Sequence, residues 1–320
     1  MGLWRASDFV PETLNSILAQ RDVELIVRIS VDGADTESAE ACAPFLADSR
    51  CTLTIQPERL GWVGNIAWLL TRAEGDYVCI QPHDDLLAES YLATLLDAAE
   101  RQPEAAVLYS DIEAFGTLSG RISQPSVSGS AIARQLSLLL DHFPAVAYRG
   151  LTRIAALRQV GVPTGNAFDD YAVDTVWMAR LARVGELQRV PLPLYWKRYH
   201  AGNTHSAWSH WARERKIAAW ADHCADMLAE ALKVATHPAL RVLFARAGLL
   251  RAVMSAGPRG AFADIASFAD DEERKHVART FTRAARLHPE IGWDDIAGAH
   301  EASLIEEALY GLPREAAPRE

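Results

Sequence analysis

Asp84 and Asp85 stand side by side just after a short apolar run, and hard divalent cations prefer oxygen ligands of this kind. The run Tyr77-Val78-Cys79-Ile80 is β-prone and bounded by Gly75 and Pro82, so it reads as a buried strand. Carboxylates at the carboxyl end of such a strand lie in the crevice where open α/β sheets bind ligands. Magnesium or manganese held there would bridge a carboxylate to substrate phosphates. The competing reading is a helix cap, a common use of Asp at a strand–helix turn. The segment alone leaves the two about even.

The elements that must position these carboxylates alternate along the chain. Val10, Leu14, Ile17 and Leu18 fall at helical spacing, with Pro11 and Glu12 suited to the first turn. Leu25, Val27, Ile29 and Val31 alternate as a strand running into Asp32-Gly33. Helices are predicted over Asp35–Phe45, from Gly61 to Ala73, and from about Ser90 to Arg101; strands over Cys51–Ile55 and Ala106–Tyr109, the latter ending at Ser110-Asp111. Alternating helix and strand is the signature of a parallel α/β sheet. Glu113 to Ser130 loses periodicity and reads as a long loop, and Ala145–Tyr148 as a further strand. Asp169-Asp170 would cap a helix from about Tyr171 to Arg183. Gln188 to Tyr199 is extended, with Pro191 and Pro193 arguing against a central strand there. From Trp208 to Leu312 the chain is rich in Ala, Leu, Arg and Glu and reads as a helical appendage, with Trp208, Trp211 and Trp220 as core or interface residues.

Bulk properties exclude several classes. The 320 residues are 49% hydrophobic and 23% charged, ordinary globular composition with room for one large domain or two small ones. A net charge of -10 and the absence of a basic, aromatic-interleaved patch argue against nucleic acid as a partner. The four cysteines show no metal or redox spacing and read as buried thiols of a reducing compartment. No run is long and apolar enough to span a bilayer, and Met1 to Asp8 has no signal pattern, so the expectation is a cytoplasmic protein, with peripheral membrane contact left open.

Several segments, in order, resemble family 2 glycosyltransferases of the GT-A fold, a nucleotide-diphospho-sugar transferase superfamily. Phe9 to Gln20 resembles the family's first helix, and Glu24 to Gly33 its second strand, whose Asp-Asp-Gly-Ser ending is here Val31-Asp32-Gly33-Ala34. Gly61 to Asn65 is similar to the segment that carries an Arg-Asn pair, and Ala73 to Tyr77 leads into the Asp-x-Asp position. Asp174 to Gly185 resembles the Glu-Asp helix, with Arg180 and Gly185 in register, and Tyr195 to His200 the late Tyr-Arg-x-His segment. The resemblance covers about Phe9 to Ser206. It implies a Rossmann-like, mostly parallel sheet flanked by helices over residues 1–206, with a helical carboxyl-terminal region over 207–320.

It also implies a chemistry: transfer of a sugar from a nucleotide-diphosphate donor, UDP-linked in this reading, to a hydroxyl on a glycan, lipid or small-molecule acceptor, inverting and metal-dependent. The metal, manganese or magnesium, would sit on Asp84 and His200, and Asp174 would be the base that takes the acceptor proton. Asp169 and Asp170 are the alternatives for that base. Asp32, Asn65, Asp85, Asp111 and Arg198 would contact nucleotide or sugar, with Asp85 also readable as support or a cap.

The match departs from the pattern at four places. Pro82 stands at the first carboxylate of the Asp-x-Asp motif, Val31 replaces an Asp, Gly64 an Arg, and Val173 a Glu. In addition, only Met1 to Asp8 precede the first helix, so the family's first strand is expected to be missing, through an upstream start or divergence; about ten to fifteen further residues would supply it. Two rival readings follow: a nucleotidyltransferase, for which no glycine-rich basic phosphate loop is visible, and a non-catalytic binding or scaffold protein on the same fold.

Overall fold

The computed structural model describes residues 1–140, 144–254 and 271–297. It forms two compact units, Met1–Ala131 with Pro144–Asn203, and Ile132–Phe143 with Thr204–Glu320. The strands are β1 (Gly2–Leu3), β2 (Val27–Val31), β3 (Cys51–Ile55), β4 (Tyr77–Cys79), β5 (Leu86–Leu87), β6 (Ala105–Gly116), β7 (Gly120–Ile122), β8 (Leu151–Arg153) and β9 (Glu186–Tyr199). The helices are α1 (Val10–Leu18), α2 (Thr36–Cys42), α3 (Gly61–Leu70), α4 (Tyr91–Arg101), α5 (Ala131–Leu140), α6 (Ile154–Val160), α7 (Val173–Val184), α8 (Thr204–Ser209), α9 (Arg213–Leu232), α10 (Pro238–Met254), α11 (Asp271–Leu287) and α12 (Trp293–Ala297).

The first unit holds two sheets. One is parallel, in the order β1-β2-β3; the other is mixed, in the order β4-β8-β6-β9-β5, with β7 paired to β6. Its longest ladder, β6 with β9, is parallel, while β8, β7 and β5 pair antiparallel to their neighbours. The front of the chain does contain a strand. Gly2↔Ser30 and Leu3↔Val31 pair in parallel, and Asp32 N–H donates to Leu3 O at 2.9 Å, so two residues suffice to place the turn that follows against the end of β2.

Two further expectations are corrected. Asp111 does not end its strand: β6 continues to Gly116 and returns through β7, so much of the segment without periodicity is a hairpin. Pro191 and Pro193 lie in β9 where it pairs with β6 alone, since β5 meets it only at Tyr195 and Trp196, so that part of the strand is not central, as expected. The register of β9 on β6 jumps from Val190 opposite Ser110 to Pro193 opposite Asp111 and Tyr195 opposite Ile112, and this bulge absorbs two residues that cannot donate to a ladder. Ala145–Tyr148 is not a strand either; a 3-10 turn runs over Ala147–Arg149.

Buried polar clasps tie helices to sheets. Asn65 on α3 accepts from Ser30 Oγ at 2.5 Å and donates to Ser30 O at 3.0 Å, while Gln56 Nε2 donates to Ser30 Oγ at 2.8 Å. Thr13 and Ser16 share one face of α1 by their spacing, and Gln20 follows two residues past its end. They meet His83 O, Leu87 N–H and Ala88 O in turn, which runs the helix alongside the segment that carries Asp84.

The second unit is helical, with Trp220, Phe244, Phe281 and Trp293 buried among α9, α10, α11 and α12. Trp220 donates to Ala252 O at 3.1 Å. Of the helical expectation from Trp208 to Leu312, residues 255–270 and 298–312 lie outside the described residues.

Asn65→Ala strips a buried carbonyl of its donor, so it is expected to lower unfolding free energy by about 1–3 kcal/mol. Urea denaturation checks this through a lower midpoint at unchanged slope.

Candidate active site

Asp84 and Asp85 do not cap α4. β5 intervenes, and Ser90 occupies the cap position. The two carboxylates instead point to different partners. Asp85 is 1% exposed, and both its oxygens are engaged. Tyr195 OH donates to Oδ2 at 2.7 Å and Arg149 Nε at 3.3 Å, while Oδ1 accepts from Arg198 N–H at 2.9 Å. Burial pushes its carboxyl above the usual range, with Arg149 opposing. Asp85 is thus an anchor inside the protein rather than a group offered to a nucleotide.

Asp84 turns to the last turn of the unit. His200 Nε2 lies 2.9 Å from Asp84 Oδ2, and Asn203 Nδ2 donates to the same oxygen at 2.9 Å. Two segments 116 residues apart are therefore brought together at one carboxylate. Phe9 packs against both neighbouring imidazoles, with ring centroids 4.7 Å from His200 and 6.4 Å from His83.

Arg198 holds rather than reaches. Its Nε donates to Asp84 O at 3.0 Å, its Nη2 pairs with Glu12, and its guanidinium lies 4.5 Å from the Phe115 ring centroid and 5.2 Å from that of Phe9.

Asp174 is in the first turn of α7, half-buried, and accepts from Thr175 N–H at 2.9 Å. Burial raises its carboxyl above the ordinary range, while Arg149 and Lys197 pull it back. The chain enters α7 under backbone strain: Asp169, Asp170 and Ala172 all have positive φ, at 44°, 58° and 53°. Neither Asp169 nor Asp170 caps the helix; Ala172 stands there, and Asn166 holds the turn by donating to Tyr171 O at 2.9 Å and accepting from Phe168 N–H at 2.9 Å.

The remaining expected contacts lie elsewhere. Asp32 is buried at the end of β2, and its Oδ1 accepts from Leu60 N–H at 2.6 Å, fixing the entry to α3. Arg59, next to it, lies over Trp4 at 3.9 Å. Asn65 is taken up by Ser30. Asp111 is fully buried, gripped by Arg189 at 2.6 and 2.8 Å and by Arg121 at 3.1 Å, and takes no part in the Asp84 cluster.

Sequence reasoning passed over three residues here. Arg149 is half-buried in the 3-10 turn; burial works against its charge, and Asp85, Tyr195 and Asp174 outweigh it, so the guanidinium stays charged. Lys197 alternates with Arg198 on β9, and burial, reinforced by Arg149, lowers its ammonium to about 8, against the pull of Asp85, Asp174 and Asp84. Asn203 completes the Asp84 cluster. Lys197 lies inside the Tyr195–His200 segment and Asn203 three residues beyond it, so both were within reach; Arg149 carries no local signal.

Residues 4–146 match the model of glycosyl transferase family 2. Over that segment the chain is similar to family 2 glycosyltransferases. The fold agrees with solved structures of glycosyltransferases of the GT-A type. Staphylococcus aureus TarS 1-349 in complex with UDP-GlcNAc superposes with a TM-score of 0.65 at 13% identity, covering 98% of this chain and 91% of that one. The mannosyltransferase PcManGT from Pyrobaculum calidifontis, in complex with GDP-Man and Mn2+, gives 0.51 at 15% identity, covering 98% and 86%. At such identity the likeness is one of fold. The family match supports a glycosyltransferase. No described helix is long and apolar enough to cross a membrane.

Lys197 gives a signed pH test. Its folded pKa lies below the unfolded value, so from about pH 8 to 10.5 the unfolded chain binds more protons and stability rises with pH. Lys197→Met is expected to raise the unfolding temperature at pH 7, and its advantage should shrink across that window. Calorimetric melts at pH 7, 8, 9 and 10 check this.

Proposed function

We propose that this chain transfers a sugar from a nucleoside-diphosphate donor to an acceptor hydroxyl, with inversion. The observation that carries the reading is the convergence of Asp84 and His200 within 2.9 Å, with Asp174, whose carboxyl burial raises, and Asp84 both acting on Lys197. Asp174 would accept the proton of the attacking hydroxyl; burial raises its basicity, and Arg149 and Lys197 oppose that rise. Lys197 and Arg149 add positive charge where a diphosphate leaves.

Among the described residues no three His, Cys, Asp or Glu side chains gather as a metal cage. The donor set nonetheless fits a divalent ion that takes its remaining ligands from substrate phosphates. Asp84 would supply a carboxylate oxygen and His200 an imidazole, a pairing that suits manganese better than magnesium. When bound, the ion would neutralise the leaving diphosphate. The four cysteines are free thiols, which supports a reducing, cytoplasmic setting. The donors bound by the structural relatives, UDP-GlcNAc and GDP-Man, are the first to try.

A non-catalytic nucleotide-sugar binder is the second reading, favoured by Pro82 where a carboxylate is expected. Transfer and donor hydrolysis with manganese, over a panel of UDP- and GDP-sugars, separates the two. Asp174→Asn is expected to cut turnover at least 100-fold while leaving donor binding intact. The native rate should also fall on the acid side at a pH above the ordinary carboxylate range. Donor binding without any turnover in the native protein would overturn the catalytic reading.

A further inference from the structure

Three consecutive backbone carbonyls around Asp84 are each held by a side chain from a different element. His83 O accepts from Thr13 Oγ1 of α1 at 2.7 Å. Asp84 O accepts from Arg198 Nε of β9 at 3.0 Å, and Asp85 O from Gln81 Nε2, at the end of the β4 run, at 2.9 Å. The segment needs such support. Pro82 has no N–H to give, and residues 80–85 belong to neither helix nor strand. Thr13 is fully buried and Gln81 95% buried, so these bonds are shielded from water. Gln81 keeps a cost as well: its Oε1 is buried with no hydrogen-bond partner among the described residues. A leucine there would bury the same volume without that cost.

We propose that Thr13 and Gln81 are positioning residues of the donor site, which fix the Asp84 carboxylate by clamping the carbonyls on either side of it. The inference rests on the reading of Asp84 as a metal ligand. With Pro82 in place of a first carboxylate, a single Asp has to meet the ion beside His200, and a lone carboxylate must be rigid to bind well. The clamp supplies that rigidity. Thr13 sets the height of the loop against α1, and Gln81 closes Pro82–Asp84 into a short arch.

The test is calorimetric binding of UDP and of GDP, each with and without manganese, to the full chain and to Thr13→Val, Thr13→Ser, Gln81→Leu and Asp84→Asn. Thr13→Val and Gln81→Leu are expected to weaken the manganese-dependent part of binding by roughly three- to tenfold, the loss of one hydrogen bond's worth of positioning. Metal-free binding should not change, and Thr13→Ser should restore the native value. If Asp84→Asn abolishes the manganese-dependent part while Thr13→Val and Gln81→Leu bind as native, the clamp is overturned and the metal reading stands. Affinity that falls only in step with melting temperature, with no rescue by Thr13→Ser, also overturns it. If Asp84→Asn binds as native, the metal reading fails and the clamp with it.

Discussion

The site is organised around one buried charge. A carboxylate that is 1% exposed is tolerable only with partners on both oxygens, because removing either partner leaves an uncompensated charge in a low-dielectric interior. Asp85 takes its partners from three places: the 3-10 turn through Arg149, the side chain of Tyr195, and the backbone N–H of Arg198. Satisfying it fixes the loop after β4, the end of β9 and the turn before β8 relative to one another. Asp84, one residue earlier, inherits its place from that arrangement. The more deeply buried member of the pair thus does structural work, and its neighbour is left for chemistry.

Arg149 extends the same constraint. Besides meeting Asp85, it donates to Ala145 O at 3.2 Å, and its own carbonyl accepts from Tyr91 OH at 2.6 Å. The turn is therefore closed on both sides. A cation held this firmly acts on everything nearby. It lowers Lys197, restrains the upward push on Asp174, and compensates Asp85. The three carboxylates, Asp84, Asp85 and Asp174, can share one region because Arg149 and Lys197 stand among them.

How much of this was legible in the sequence follows from the range of each interaction. α1, β2, β3 and α3 were readable because their patterns are local: apolar positions at helical or alternating spacing answer to burial on one face. The ordered family motifs carried the Asp84 and His200 pairing across 116 residues, which periodicity alone does not reach. Pro191 and Pro193 marked a part of β9 with a partner on one side only, but the bulge there is decided by the partner strand, not by the prolines' own neighbours. Asp111 misled for a similar reason, its partners being distant in sequence. Its strand continues past it because Arg189 and Arg121, 78 and 10 residues away, neutralise a carboxylate that would otherwise break the run. Gly2–Leu3 is too short to show any pattern, and exists as a strand only because β2 offers it a register. Arg149 had no local mark at all; its meaning lies in a carboxylate 64 residues away.

The entry to α7 shows what such positioning costs. Three non-glycine residues in the left-handed region cost of order 1–3 kcal/mol each, and they persist only where the surroundings over-determine them. Asn166 supplies part of that determination through Tyr171 O and Phe168 N–H, and Asp170 Oδ1 accepts from Asn166 N–H at 3.3 Å. Gly165 makes room beside them, since a Cβ there would stand 2.6 Å from Asp170 Oδ1 and that side chain would have to shift. A relaxed turn with a Ser or Asp cap would start the helix more cheaply. The strained one starts it with Ala172, which brings no polar side chain of its own, and puts Asp174 in the first turn. There the helix dipole favours its charge while burial opposes it. A carboxylate balanced between those two pulls holds a proton more readily than a solvated one, and that added basicity is what a base for a hydroxyl needs.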